Sequence, residues 1–166
     1  MPFQDIVQPE VIPLSDTVRL KKYDGHYEKA LAGYQDPYVY QNSEGIFDET
    51  QKPDLDYVRG MFRYLDNAGE LYFIEALEGG EWVSIGDVTA KPENPPIAIW
   101  FEGYRGKGIG RLALEAVIAR LRELGYDRIT GSAVYKWNEV SLSMHRSLGF
   151  QVMGESETEV ILALEL

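Results

Sequence analysis

Apolar and polar residues alternate from Thr17 to Tyr23, with Val18 and Leu20 on one side and Arg19 and Lys21 on the other, the period of a half-buried strand. Similar patterning predicts strands over Leu71–Leu77 and Trp82–Ala90, joined through Glu78-Gly79-Gly80-Glu81 as a hairpin turn. Further strands are predicted over Ile97–Phe101, Asp127–Val134, 150–155 and 158–165. Between the strands the apolar spacing changes to three and four. Leu55, Val58, Met61, Phe62 and Leu65 predict a helix over 54–68. Ile109, Leu112, Ala113, Ala116, Val117, Leu121 and Leu124 predict another over 108–124, which Gly125 ends. Glu139–Leu148 reads as a short helix capped by Asn138 and ended by Gly149, and Asp24 is placed to cap a helix over 25–35. Residues 1–16 carry Pro2, Pro9 and Pro13 without periodicity and predict an extended lead-in. Residues 36–53, polar and tyrosine-rich, predict a long irregular segment. The order is a strand, two helices, three strands, a βαβ unit, then a helix and closing strands. It predicts one α/β (α+β) domain over 1–166, a mixed sheet with helices on both faces.

One junction stands apart. The apolar run Ile97-Ala98-Ile99-Trp100-Phe101 passes through Glu102-Gly103-Tyr104 into Arg105-Gly106-Lys107-Gly108-Ile109-Gly110-Arg111, and the amphipathic helix follows at once. Glycine lets the main chain turn and lets a ligand come close, and the first N–H groups of a helix have no internal partner. Strand, glycine turn and helix start therefore make an anion site. Arg105, Lys107 and Arg111 add three cations in a chain of net charge −11. Two common phosphate loops do not fit: the third glycine of a dinucleotide G-x-G-x-x-G would be Arg111, and no Lys-Ser or Lys-Thr completes a Walker spacing.

What stands there is R-x-x-G-x-G, Arg105 to Gly110, and it resembles the acetyl-CoA pyrophosphate loop of the GNAT superfamily of N-acetyltransferases. A second segment, Asn138-Glu139-Val140-Ser141-Leu142-Ser143-Met144-His145-Arg146-Ser147-Leu148-Gly149-Phe150, is similar to that family's N-x-x-A/S-x-x-L/M-Y-x-x-x-G-F. It departs at one position, where His145 replaces the usual Tyr. The resemblance covers about 97–150; over 17–90 only the layout of elements matches. It implies a GNAT-like central mixed, mostly antiparallel sheet. It also implies transfer of an acetyl group from acetyl-CoA, as co-substrate, to a primary amine by direct attack without an acyl-enzyme.

The same resemblance assigns expected roles. The loop from Arg105 through Gly106, Lys107, Gly108, Ile109, Gly110 and Arg111 would hold the pyrophosphate. The main chain of Ala98, Ile99 and Trp100 would pair with the pantetheine arm, with an amide near Trp100 aimed at the thioester oxygen, and Asn138 would hydrogen-bond the arm. His145 would face the sulfur as acid, with the alternative of serving as base, since histidine titrates near neutrality. Some members carry Glu on the strand before the Asn; the matching position here is Ala133. Among Asp87, Glu75 and Glu102, Asp87 is preferred as base because it interrupts a small or apolar strand face. Tyr34, Tyr38, Tyr40, Asp36, Glu44, Asp48 and Glu49 fall where the acceptor wall is expected, and aromatic faces with carboxylates suit an ammonium. A small amine, an aminoglycoside-like polyamine and a protein N-terminus all remain open as acceptors. Histidine for Tyr and Ala133 for Glu also leave open a non-catalytic acyl-CoA sensor on the same fold.

Composition trims the remaining classes. Twenty-seven acids against 16 bases argue against nucleic acid and suit a cationic partner. There is no cysteine and only two histidines, so a cysteine nucleophile and a thiolate metal site are excluded and a histidine-rich one is not expected. No apolar run reaches the roughly 20 residues of a membrane span. Met1-Pro2-Phe3-Gln4-Asp5 carries no secretory pattern, which makes a cytoplasmic location the expectation. The last strand, if exposed, would offer an edge for a homodimer.

Overall fold

In the computed structural model, which describes residues 6–166, the strands form two antiparallel sheets that meet at a single point. The larger has the order β1 (Val11–Pro13), β2 (Val18–Lys22), β3 (Glu70–Glu78), β4 (Glu81–Ala90) and β5 (Ile97–Ile99). The smaller has β8 (Glu159–Glu165) between β6 (Arg128–Tyr135) and β7 (Gln151–Glu155). Strand β3 is buried on both faces because helices cover both. Tyr72 and Ile74 pack with Ala113, Val117 and Leu121 of α4 (Ile109–Glu123), while Leu71 and Phe73 pack with Val58 and Phe62 of α3 (Leu55–Ala68). The expected mixed, mostly antiparallel architecture with helices on both faces is the observed one. No helix among the described residues is long and apolar enough to cross a membrane.

Four expectations change. Within the lead-in, of which residues 1–5 lie outside the described residues, Val11–Pro13 pairs with β2, Val11 opposite Lys21. Three residues are too few to show a period, and Pro13 is tolerated because β1 is an edge. The helix expected over 25–35 splits into a 3₁₀ turn, Tyr27–Ala30, and one short turn, α1 (Leu31–Tyr34). Asp24 accepts from the His26 N–H at 3.1 Å instead of capping it. The segment read as irregular contains α2 (Pro37–Glu44), with Asp36 accepting from Tyr38 N at 2.9 Å and Gly45 closing it at φ 66°. The cap and Pro37 at the first helical position were sequence signals for that helix. Finally, the last strand is the middle of its sheet, so the free edge belongs to β7 and not to β8.

Between the two sheets, among the described residues, a parallel bridge joins Glu93 with Thr130 through Asn94 N to Thr130 O (2.8 Å) and Thr130 N to Pro92 O (2.9 Å), and the Asn94 side chain accepts from Ala133 N at 3.0 Å. Past that point β5 and β6 part. A buried ion pair stiffens the larger sheet beside α4: Arg120 donates Nε and Nη2 to the two carboxylate oxygens of Glu70, each at 2.8 Å, and the Tyr72 hydroxyl donates to the same group. Glu70 is 1 % exposed, so its charge depends on those partners.

Candidate active site

The glycine turn leads into α4 with its donors open. Gly106 and Gly108 sit at φ 71° and 79°, where a side chain is strained, yet an added Cβ would meet nothing within 4 Å. The conformation, not packing, requires glycine there, and space lies in front of it. Gly108 is the N-cap, no side chain caps the helix, and the first intrahelical bond is Leu112 N to Gly108 O. The N–H groups of Ile109, Gly110 and Arg111 therefore have no intrahelical partner, and the helix end carries about half a positive charge. Gly110 serves another purpose: an added Cβ would lie 3.4 Å from Met144 Sδ, where the first turn of α4 packs on α5 (Glu139–Ser147).

The three cations have separate surroundings. Arg105 turns back toward α2. Its Nη2 donates to Trp100 O (3.1 Å) and Asp36 Oδ2 (3.3 Å), its guanidinium lies 4.1 Å from the centre of the Tyr38 ring, and its buried Nε has no partner. Arg111 donates to Glu115 and to Ser147. Lys107 is exposed, with no ion pair among the described residues.

Hydrogen bonding fixes which way the β5 main chain faces. Trp100 N donates to Ile85 O at 2.8 Å and Thr89 N to Pro96 O at 3.2 Å. Antiparallel ladders alternate, so positions 96, 98 and 100 turn their main chain to β4, and 97, 99 and 101 turn theirs to the gap beside β6. This corrects the expectation for Ala98 and Trp100, whose main chain is engaged with β4, while Ile99 keeps the expected open edge and an open amide near Trp100 remains at Ile99 and Phe101. The open amides belong to Ile97, Ile99 and Phe101.

The parting of β5 and β6 opens a cavity of about 360 Å³ that passes between the two faces of the sheet. His145 and Ser141 of α5 line it on the α4 side; Tyr34, Asp87 and Glu44 line it on the α3 side. Asp87 is 1 % exposed and points in with Ala98 and Phe73. Tyr34 Oη and Trp100 Nε1 both donate to its Oδ2, each at 2.7 Å. This arrangement needs Gly33, where a Cβ would fall 2.3 Å from the Cβ of Trp100. Burial outweighs the two donors and pushes the Asp87 carboxyl up to about 7, with the Glu44 charge adding to the rise.

His145 is 4 % exposed and packs edge-on against Phe150. Its Nδ1 lies 2.7 Å from the Ser141 carbonyl oxygen, which can only accept, so Nδ1 carries the hydrogen. Burial lowers the ring's affinity for a second proton, despite that hydrogen bond. Neutral His145 thus presents a lone pair at Nε2, an arrangement that suits the alternative of base or acceptor more than that of acid. Asn138 caps α5 through Ser141 N (3.2 Å) and donates to Asn42 O (3.4 Å), tying α5 to α2.

Several residues from the sequence reading lie elsewhere. Glu75 is paired with Arg19 at 2.8 Å, and Glu102 sits on an exposed turn. Tyr38 covers Arg105, Tyr40 is core, and Asp48 and Glu49 are exposed around a 3₁₀ turn outside the cavity. The cavity adds residues that no spacing marked: Ser132, Tyr135 and Glu159 from the smaller sheet, and Lys91. Only Tyr135 and Glu159 are cross-strand partners on one face, and alternation places Ser132 on the other. Among the described residues no group of His, Cys, Asp or Glu is arranged to hold a metal.

The acetyltransferase (GNAT) family model matches residues 34–150. The fold is similar to a domain from Methanocaldococcus jannaschii DSM 2661, with a TM-score of 0.77 and 21 % identity over 90 % of this chain and 98 % of that one. It is similar to the microcin C7 self-immunity acetyltransferase MccE solved with acetyl-CoA and AMP (0.72, 13 %, 96 % and 98 %). A third likeness is the Salmonella typhimurium acetyltransferase that modifies the N-terminal serine of ribosomal protein L7/L12 (0.66, 17 %, 95 % and 99 %). No match was found among curated protein sequences.

Proposed function

The chain belongs to the GNAT acetyltransferase family, and from that premise we propose that it moves the acetyl group of acetyl-CoA to a primary amine by direct attack, with Asp87 as general base. The observation that carries the reading is a buried carboxyl, poised near neutrality, lining a cavity that joins the two faces of a parted sheet.

The residues present suit acetyl-CoA. The uncapped amides of Ile109, Gly110 and Arg111, with open space before Gly106 and Gly108, fit a pyrophosphate. The unengaged edge of β5 fits an extended amide-bearing arm, and the N–H of Ile99 or Phe101, not that of Trp100, is the donor for a developing oxyanion. Acetyl-CoA supplies an acyl carbon activated by a thiolate leaving group: the amine nitrogen bonds to that carbon as the carbon–sulfur bond breaks. Asp87 takes the proton that the ammonium must lose first. Burial makes that transfer feasible. From an ammonium near pKa 10.4, a carboxylate at its ordinary value accepts a proton at a cost of about 9 kcal/mol, whereas one near 7 does so for about 5 kcal/mol. Tyr34 and Trp100 hold Asp87 in place and keep the pKa from rising further. His145 shapes the cofactor side as an acceptor, and the departing thiolate, of thiol pKa about 8.5, takes its proton from water.

The test is thiol release from acetyl-CoA over a panel of amines. Asp87→Asn is expected to lower kcat by about 100-fold or more, the usual range for a general base, with the KM for acetyl-CoA within about threefold. Full activity in that variant overturns the assignment of the base. Acetyl-CoA binding without turnover on any amine returns the chain to the sensor reading.

A further inference from the structure

The acceptor side of the cavity holds more negative charge than one proton transfer uses. Asp87, Glu44 and Glu159 line it, against one lysine, Lys91, whose Nζ lies over the Tyr64 ring at 5.6 Å and makes no ion pair with them. Glu44 ends α2. Tyr57 Oη donates to its Oε1 at 2.5 Å, and its Oε2 has no protein donor among the described residues.

We infer that the acceptor is a small diamine or polyamine, with one nitrogen reacting at Asp87 and a second, still protonated, held at Glu44. The inference rests on the acetyltransferase reading and adds to it the charge of the substrate. When Asp87 takes the reacting proton, both it and the amine become neutral. That step gives Glu44 nothing to balance. A carboxylate drawn partly out of water beside the base also opposes the base's own ionisation, since its charge raises the Asp87 pKa. A second cation removes both penalties at once: it neutralises Glu44 and leaves Asp87 free to ionise. A monoamine, or the lone α-amine of a neutral peptide, offers no such partner. The cavity, of about 360 Å³ and open on one side to solvent, has room for a short chain.

The experiment compares α,ω-diamines of three to six carbons with n-alkylamines of matched length, and with an uncharged tripeptide amide, in thiol release and in calorimetric binding to the CoA-loaded protein. The best diamine is expected to exceed its matched monoamine at least tenfold in kcat/KM and in affinity. Glu44→Gln is expected to bring that ratio to within about twofold of one, chiefly through KM, whereas Asp87→Asn lowers kcat for every amine. Equal use of diamine and monoamine by the wild type, an unchanged ratio in Glu44→Gln, or faster turnover of the tripeptide amide overturns the inference while leaving the acetyltransferase reading intact. Absence of thiol release with every amine overturns that reading instead. The calorimetric ratio then decides the diamine preference on its own.

Discussion

Replacing Tyr34 with Phe tests the role of Asp87 without touching the carboxyl itself. The change deletes one oxygen. The ring stays in its edge-on packing against Phe62, with centroids 6.1 Å apart. What is lost is a 2.7 Å hydrogen bond to Asp87 Oδ2. A hydrogen bond to a charged group contributes about 1.5–3 kcal/mol, and it favours the ionised carboxyl. Its loss moves the Asp87 midpoint from about 7 upward by about one to two pH units. Half the wild-type enzyme carries an ionised base at pH 7. The variant carries about 1–10 % in that form, so kcat/KM at pH 7 falls about 5- to 50-fold. By pH 9 the deficit shrinks to about twofold or less, because about half or more of the variant is then ionised as well. The assay is kcat/KM for the amine, by thiol release, from pH 5 to 10 in both proteins. A shifted acid limb with a recovered alkaline plateau is the expected result. An acid limb that stays in place, with a loss equal at every pH, refutes the argument, because the titrating base would then not be Asp87.

Four further outcomes follow from other parts of the molecule. The Asp87 carboxyl titrates near 7 when folded and near 3.9 when unfolded, so the folded state binds the proton more tightly and stability falls as pH rises between those values. Asp87→Asn removes a penalty of up to about 4 kcal/mol and is expected to raise Tm by up to about 10 °C at pH 8.5, with the gain vanishing toward pH 4 in a melting series. Gly108→Asp places strain and a negative charge at the start of α4, and the KM for acetyl-CoA is expected to rise at least tenfold, read by initial rates. Arg105→Ala frees Asp36 and Tyr38 at the start of α2, and steady-state kinetics should show the amine KM rising more than that of acetyl-CoA. Arg120→Ala strands the buried Glu70 charge and is expected to cost about 3–5 kcal/mol in denaturant melts, most of it recovered in Arg120→Met with Glu70→Leu.

The two halves of the site differ in how far sequence reveals them. The cofactor half is local. A strand, a turn with glycine at 106 and 108, and a helix start are contiguous, and their function depends on main-chain conformation, which glycine reports directly. The helices α3, α4 and α5 were legible for a related reason: each has a cap or a stop and a repeating apolar face long enough to show its period. Short elements were not. β1 has three residues and α1 has four, less than one clear period each. The misread segment 36–53 hid α2 behind a weak apolar face, although Asp36 and Pro37 marked its start. Arg105 shows the limit of motif reasoning even in the legible half: its charge belongs to the loop, while its guanidinium serves α2.

The acceptor half arises from contacts that no spacing encodes. Asp87 stood out only as a charge on an apolar strand, and residues of that kind are ordinarily solvated. Its character comes from Tyr34, 53 residues earlier, from Trp100 across the strand pair, and from Gly33, which lets Trp100 lie close enough to reach it. Glu44 joins them because α2 ends at Gly45, where a Cβ would fall 2.6 Å from the Tyr135 hydroxyl; the close seat of that turn brings the larger sheet's helices against β6. The parting of β5 from β6 thus does two things. It leaves the β5 edge unpaired, and in the proposed reaction it lets Asp87 on one face of the sheet meet a carbonyl delivered from the other. A continuous sheet would satisfy the amides of Ile97, Ile99 and Phe101 and separate Asp87 from His145. The missing ladder between 97–101 and 131–135 is therefore what the proposed reaction requires, and the bridge at Glu93–Thr130 sets where the opening begins.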